Sequence, residues 1–164
     1  MMDARQALKA GIDMSRMVCN SYIEDLTDED LMKRPHPVCN HINWQLGHLI
    51  SSDHNMVSGV IPDSMPALPD GFAEKYTKET ASSDDASAFC TKAELLAAAE
   101  AQLNGALEVL KGLSDEDLDT ASPEPINQYA PTTGHVFELL GSHWMMHCGQ
   151  WVVVRRQMGK APLF

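Results

Sequence analysis

The sequence predicts an all-α protein, a four-helix bundle with a long connection between helices 2 and 3. Four segments carry apolar residues at helical spacing, and no stretch of appreciable length has the strict alternation of a half-buried strand. The chain has 164 residues, 44% hydrophobic and 21% charged, which suits a single domain over 1–164 with its own core. Cap and stop residues also bracket several of the periodic segments.

The first helix is expected from about Asp3 to Tyr22, with Leu8, Ile12, Val18 and Tyr22 on a candidate buried stripe. The second runs from about Asn40 to Val57 and sets Ile42, Leu46, Leu49 and Met56 on or near one face, with Asn40 as its cap. The third opens on Thr91-Lys92-Ala93-Glu94, a capping box. It continues with Leu96, Leu103, Leu107 and Leu110 at helical spacing, and Gly112 falls where a left-handed stop is expected. The fourth, from about Thr133 to Met158, carries Val136, Leu140, Val154 and Met158 on one stripe. Arg155 and Arg156 suit the negative end of its dipole, and Gly159 follows as its stop.

Between the second and third helices lie about 33 residues, 58–90, a length uncommon for a loop inside a compact domain and usually functional or disordered. The stretch is polar and contains Pro62, Pro66, Pro69 and Gly71; Phe72 and Tyr76 are its aromatic anchors, expected to touch ligand or bundle. A lid over the bundle mouth and a solvated tether both fit it. The sequence equally leaves open an up-down-up-down order and a diagonal crossover. Leu26-Thr27-Asp28-Glu29-Asp30-Leu31 recurs as Leu113-Ser114-Asp115-Glu116-Asp117-Leu118, each copy followed by a Pro-x-Pro and a helix rich in His and Trp. This fits a pseudo-twofold bundle, and it fits chance recurrence of an acidic cap as well.

Charge and cysteine usage exclude several classes. Twelve Lys and Arg against 23 Asp and Glu leave a formal charge of −11, which opposes binding to nucleic acid or to an anionic membrane. Without a membrane-length apolar run or a signal-peptide pattern, the expected location is the cytoplasm. Cys19, Cys39, Cys90 and Cys148 form no C-x-x-C pair, so neither a zinc ribbon nor a thioredoxin-type motif is expected.

Seven histidines carry the functional signal. His143-Trp144-Met145-Met146-His147 stacks two imidazoles one turn apart on a helix face shared with Val136, Leu140, Gln150 and Val154, a spacing at which two nitrogens can converge on one metal. The same spacing is common in helices that bind nothing. A third candidate, His48, follows Gly47 in the second helix, where the glycine would let a neighbouring helix approach. His41 reads as a capping or surface residue, and His135 as a cap or exposed residue. Cys148 and the Met145-Met146 pair read as core. Gln150 is a candidate for bonding a ligand, and Glu138 and Asp53 for orienting an imidazole, beside the plainer readings of a satisfied amide and solvated carboxylates.

The order N-H-I-x-W-x-L-G-H-L, the acidic L-T/S-D-E-D-L punctuation, and the last helix with H-W-M-M-H-C-G-Q, an arginine and a glycine stop resemble the DinB/YfiT-like four-helix-bundle superfamily. The resemblance spans most of the chain outside 58–90. It implies a divalent metal on His48, His143 and His147, for which zinc or nickel is expected, and a homodimer; Trp44, Gln150 and Asp53 are the candidate neighbouring or pocket residues. Characterised members of that superfamily include thiol-dependent S-transferases and isomerases that use low-molecular-weight thiols, and the expected activity here is a metal-dependent S-transferase or hydrolase reaction on a small molecule, with such a thiol as co-substrate. Three neutral imidazoles with an open position are the donor set of a catalytic zinc. The rival reading is a non-catalytic bundle that binds a metal or ligand as a sensor or interaction protein.

Overall fold

Helix α1 (Ala4–Ile23) begins where Asp3 accepts the Gln6 amide and the Gln6 side chain accepts the Asp3 amide, which occupies two otherwise orphaned donors. The same reciprocal box opens α2 (Asp28–Leu31) with Thr27 and Asp30, α4 (Lys92–Gly112) with Thr91 and Glu94, and α5 (Asp115–Asp119) with Ser114 and Asp117. The other two helices are α3 (Ile42–Val60) and α6 (Thr133–Gln157). The computed structural model describes residues 1–164; it has these six helices, short 3-10 turns at Ala73–Tyr76, Ala86–Ala88 and Ile126–Gln128, and no strand.

Two terminal details depart from the sequence expectation, and a third agrees with it. The cap of α3 is His41, whose Nδ1 accepts the Trp44 amide at 3.0 Å; Asn40 lies one residue too early and instead offers its carbonyl to Gln45. Gly112 is the last helical residue of α4 and has no left-handed backbone, because Leu113 turns extended to start the next capping box. Gly159 does stop α6 in the left-handed region, with φ 75°, and the Gly159 and Lys160 amides return to the carbonyls of Arg156 and Arg155.

The four long helices form the bundle, with α1 packed on α6 and α4, and α3 packed on the same two. Thus α1 faces α3 across one diagonal and α4 faces α6 across the other. Contacts at the helix ends fix the directions. Gly141 of α6 lies on the Gly11 backbone of α1, and Arg155 reaches the Tyr22 carbonyl, so α1 and α6 run parallel. Lys92 binds the Glu24 and Leu26 carbonyls while Arg5 binds that of Leu113, so α4 opposes α1. Asn43 binds the Cys90 carbonyl ahead of α4, and His54 meets Gln102 further along, so α3 and α4 run parallel.

This arrangement explains the long connection. Neighbouring parallel helices require the chain to return the full length of α3, about 28 Å for its 19 residues. The two diagonal crossovers are the segments that hold the repeated L-T/S-D-E-D-L. In both copies the acidic run forms a capped helical turn, α2 or α5, with Leu26 and Leu31, or Leu113 and Leu118, buried.

The connection is neither a loose tether nor a free lid. Phe72, Tyr76, Phe89 and Cys90 are buried in the same apolar cluster as Trp44, Trp144 and Trp151. The Tyr76 ring lies flat against Gly47, where any Cβ would overlap it, so the glycine admits the connection and not a helix. The Tyr76 hydroxyl accepts the Cys90 amide at 3.0 Å, and the Trp44 indole donates to the Thr77 carbonyl at 3.1 Å. A second apolar cluster, including Ile12, Met56, Val136 and Phe137, fills the other half of the bundle.

Burial on α4 is rotated from the expected stripe. Leu95, Ala98, Gln102, Ala106 and Leu110 face inward, whereas Leu96 is exposed and Leu103 and Leu107 are half-buried. Met145 and Met146 are exposed, and Cys148 is buried as expected. No helix is long and apolar enough to cross a membrane.

Candidate metal centre

The two imidazoles of α6 and the one of α3 meet because α3 and α6 are antiparallel neighbours. One nitrogen each of His48, His143 and His147 lies within 4.8 Å of the others. Their ring centroids are 5.3 Å apart for His48 and His143, 5.6 Å for His48 and His147, and 5.0 Å for His143 and His147. All three are half-buried. Burial, reinforced by the neighbouring imidazoles, pushes His143 and His147 down to about 4, and burial also lowers His48. Near neutral pH the cluster is therefore uncharged, which is the form that ligates.

The protonation site of His147 follows from its surroundings. Trp151 Nε1, which can only donate, is 2.9 Å from Gln45 Oε1, so that oxygen is an acceptor. Gln45 Nε2 correspondingly donates to the Asn40 carbonyl at 2.6 Å and to Gln150 Oε1 at 3.2 Å. His147 Nδ1 lies 3.0 Å from the same Gln45 Oε1 and must carry the proton, which leaves the Nε2 lone pair available. Trp44, one turn before His48, stacks on its ring at 5.2 Å with an interplanar angle of 8°. Three neutral imidazoles, one of them held in the ligating tautomer by a buried amide, fit a divalent cation of zinc-like character.

Other residues take different places. Asp53 does not orient an imidazole: five residues past His48 it points about 140° further round the helix. There its carboxylate binds Arg16 of α1 and accepts the Trp144 indole at 2.9 Å. The Arg16 guanidinium also lies over the Trp144 ring, 3.4 Å from its centroid. Gln150 touches the cluster only through Gln45. His41 is fully buried, capping α3 with its ring edge-on to Phe89. His135 is exposed and bonded to Thr132, and Glu138 is exposed. Gln45, Trp151 and Arg16 are not among the residues expected from the sequence. A signal existed for Trp151, which sits one turn after His147 and whose buried indole must find an acceptor.

His48 also forms part of the wall of a cleft of about 530 Å³ between α3, the 73–77 turn and the 125–129 turn. Ser51, Ser52, Asn55 and Thr77 supply its polar side, and Met56, Ile126 and Tyr129 its apolar side.

The model of the DinB superfamily matches residues 12–151, and the chain belongs to that superfamily. In fold it is similar to a solved structure of a conserved protein from Enterococcus faecalis, with a TM-score of 0.69 at 16% identity over 98% of this chain and 100% of that one. No curated protein matches the sequence. Fold and family thus agree with a helical bundle whose histidine triad is compatible with a divalent metal.

Proposed function

We propose that the protein is a divalent-metal-dependent enzyme acting on a small molecule, in a reaction of the thiol-transfer or hydrolysis type. The observation that carries this is the convergence of His48, His143 and His147 beside an open cleft. Zinc or nickel bound by these imidazoles would supply Lewis acidity, which lowers the pKa of a water or thiol and polarises a carbonyl. The chain's own contributions are distinct from that. His48, His143 and His147 would hold the ion, Gln45 keeps His147 in the ligating tautomer, and Trp44 stacks on one face of the His48 ring. Burial keeps the imidazoles neutral, so metal loading requires little proton release. The cleft holds the substrate next to His48.

The test is metal analysis of protein produced without an affinity tag, followed by assays with thiol acceptors and hydrolysable small molecules. One divalent ion per chain is expected, and His48→Ala, His143→Ala and His147→Ala should each remove it. His135→Ala should leave it in place. Full occupancy in any of the three ligand variants would overturn the assignment.

A further inference from the structure

The cleft beside His48 differs from four other grooves of this acidic protein in carrying no Asp, Glu, Lys or Arg among its 11 lining residues. The groove at Arg34, Lys78 and Asp84 holds charges of both signs, as do those at Arg5 and Glu108 and at Lys75 and Glu94. The groove between α1 and α6 includes Glu138. The contrast is sharpest in the connection itself. Ala73, Tyr76 and Thr77 line the cleft, yet Lys75 and Lys78, their neighbours in sequence, line other grooves. Of the buried arginines, Arg16 is taken by Asp53 and Arg155 by Asp25.

We infer that this cleft receives the uncharged body of the substrate, a neutral small molecule with an apolar portion and one or two hydrogen-bonding groups. The inference rests on the proposed function for placing the reacting group beside His48, while the character of the cleft stands on its own lining. Away from an ion held at His48, an anionic group entering it would lose hydration and find no lysine or arginine, in a protein whose formal charge of −11 already repels it. A cationic group is drawn to the protein by that charge but finds no carboxylate within the cleft. A neutral group loses little: Asn55 and Thr77 can exchange hydrogen bonds with it, the buried Ser51 hydroxyl has no partner of its own, and Met56, Ile126 and Tyr129 cover its apolar part. A thiol co-substrate bearing a carboxylate therefore fits this cleft poorly, which favours an uncharged acceptor or hydrolysable substrate.

Three nearly isosteric probes separate the possibilities: benzamide (neutral), benzoate (anionic) and benzamidine (cationic), titrated against metal-free protein and followed by the backbone amide resonances of Ser52, Asn55 and Tyr129. Benzamide should shift these resonances, with both charged analogues binding at least tenfold more weakly. Asn55→Asp, a change at an exposed position, should make benzamidine the preferred probe. Either charged analogue matching benzamide in the parent protein would overturn the inference, as would absence of benzamide shifts at these residues or an unchanged order in Asn55→Asp. Cobalt(II) uptake, read by visible absorption on separate samples, tests the metal reading. Failure there with the probe order intact would remove the metal and leave the neutral cleft.

Discussion

Gln45 is the residue that turns three nearby histidines into a prepared donor set, because its one carbonyl oxygen serves both the Trp151 indole and His147 Nδ1. Gln45→Leu removes that acceptor and frees His147 to rotate or to change tautomer. Metal affinity should fall about tenfold to a hundredfold, measured by competition with a chelator, while the helical circular-dichroism signal persists. Gln45→Glu keeps an acceptor for both donors but loses the donors to the Asn40 carbonyl and Gln150 Oε1, so it should bind metal more tightly than Gln45→Leu while unfolding more easily than the parent. Asp53 has a different role, closing an ion pair with Arg16 across the α1–α3 diagonal. Burial pushes the Asp53 carboxyl up and the Arg16 guanidinium down, and their pairing opposes both shifts. Asp53 Oδ1 and Arg16 Nε are buried without partners, so the pair is incompletely satisfied and sets the alignment of three helices more than it adds net stability. Asp53→Ala would strand the arginine and the Trp144 N–H. A loss of about 3–5 kcal/mol is expected in urea unfolding, much of it recovered when Arg16→Met is added.

At the scale of elements, the connection between α3 and α4 behaves as a fifth structural layer. Its Phe72, Tyr76 and Phe89 are buried, and it must travel back along α3. Replacing it by six Gly and Ser residues offers a reach of only about 20 Å, short of the roughly 28 Å the parallel arrangement needs. The shortened chain should lose cooperative unfolding or pair its helices between molecules, seen as a change in mass by light scattering. Retention of a monomeric parent-like fold would contradict the parallel placement of α3 and α4. A milder probe is Gly47→Ala, whose methyl would overlap the Tyr76 ring. The expected cost is about 1–3 kcal/mol, with Tyr76 displaced from the His48 side of α3.

The whole molecule has an acid limit set by its buried imidazoles. In the unfolded chain a histidine takes up its proton near pH 6.5, whereas in the fold His41, His143 and His147 resist it down to about 4. Between these values the unfolded state binds more protons, so the histidine contribution to stability is complete above about pH 6.5 and is lost progressively as pH falls toward 4. For His41 the main cause is burial, followed by the adjacent Arg34 charge, and protonating its Nδ1 would also remove the cap of α3. His41→Asn keeps a capping acceptor without a titrating ring. Urea unfolding of metal-free protein from pH 7.5 to 4 should show a shallower loss of stability in this variant than in the parent, and equal slopes would contradict the assignment.

The sequence by itself determined the four long helices, the Thr91 capping box, the Gly159 stop and the one-turn spacing of His143 and His147. These depend on local chemistry: a side-chain acceptor near a free amide, a left-handed residue at a helix end, a period of 3.6. It also held the capped turn that recurs as α2 and α5, though not the fact that these turns make the two diagonal crossovers. Only the tertiary structure decided that α3 and α4 run parallel, because the same 33-residue stretch permits either direction until its aromatics find their seats. It decided that Leu95 and not Leu96 faces the core, a rotation of about 100° that an alanine-rich helix with leucines on several faces leaves ambiguous. It also brought Gln45 and Trp151 to His147 and turned Asp53 toward Arg16. Residues 37 to 106 positions apart in the chain are matched there by helix packing, and nothing in a local pattern records which faces will meet.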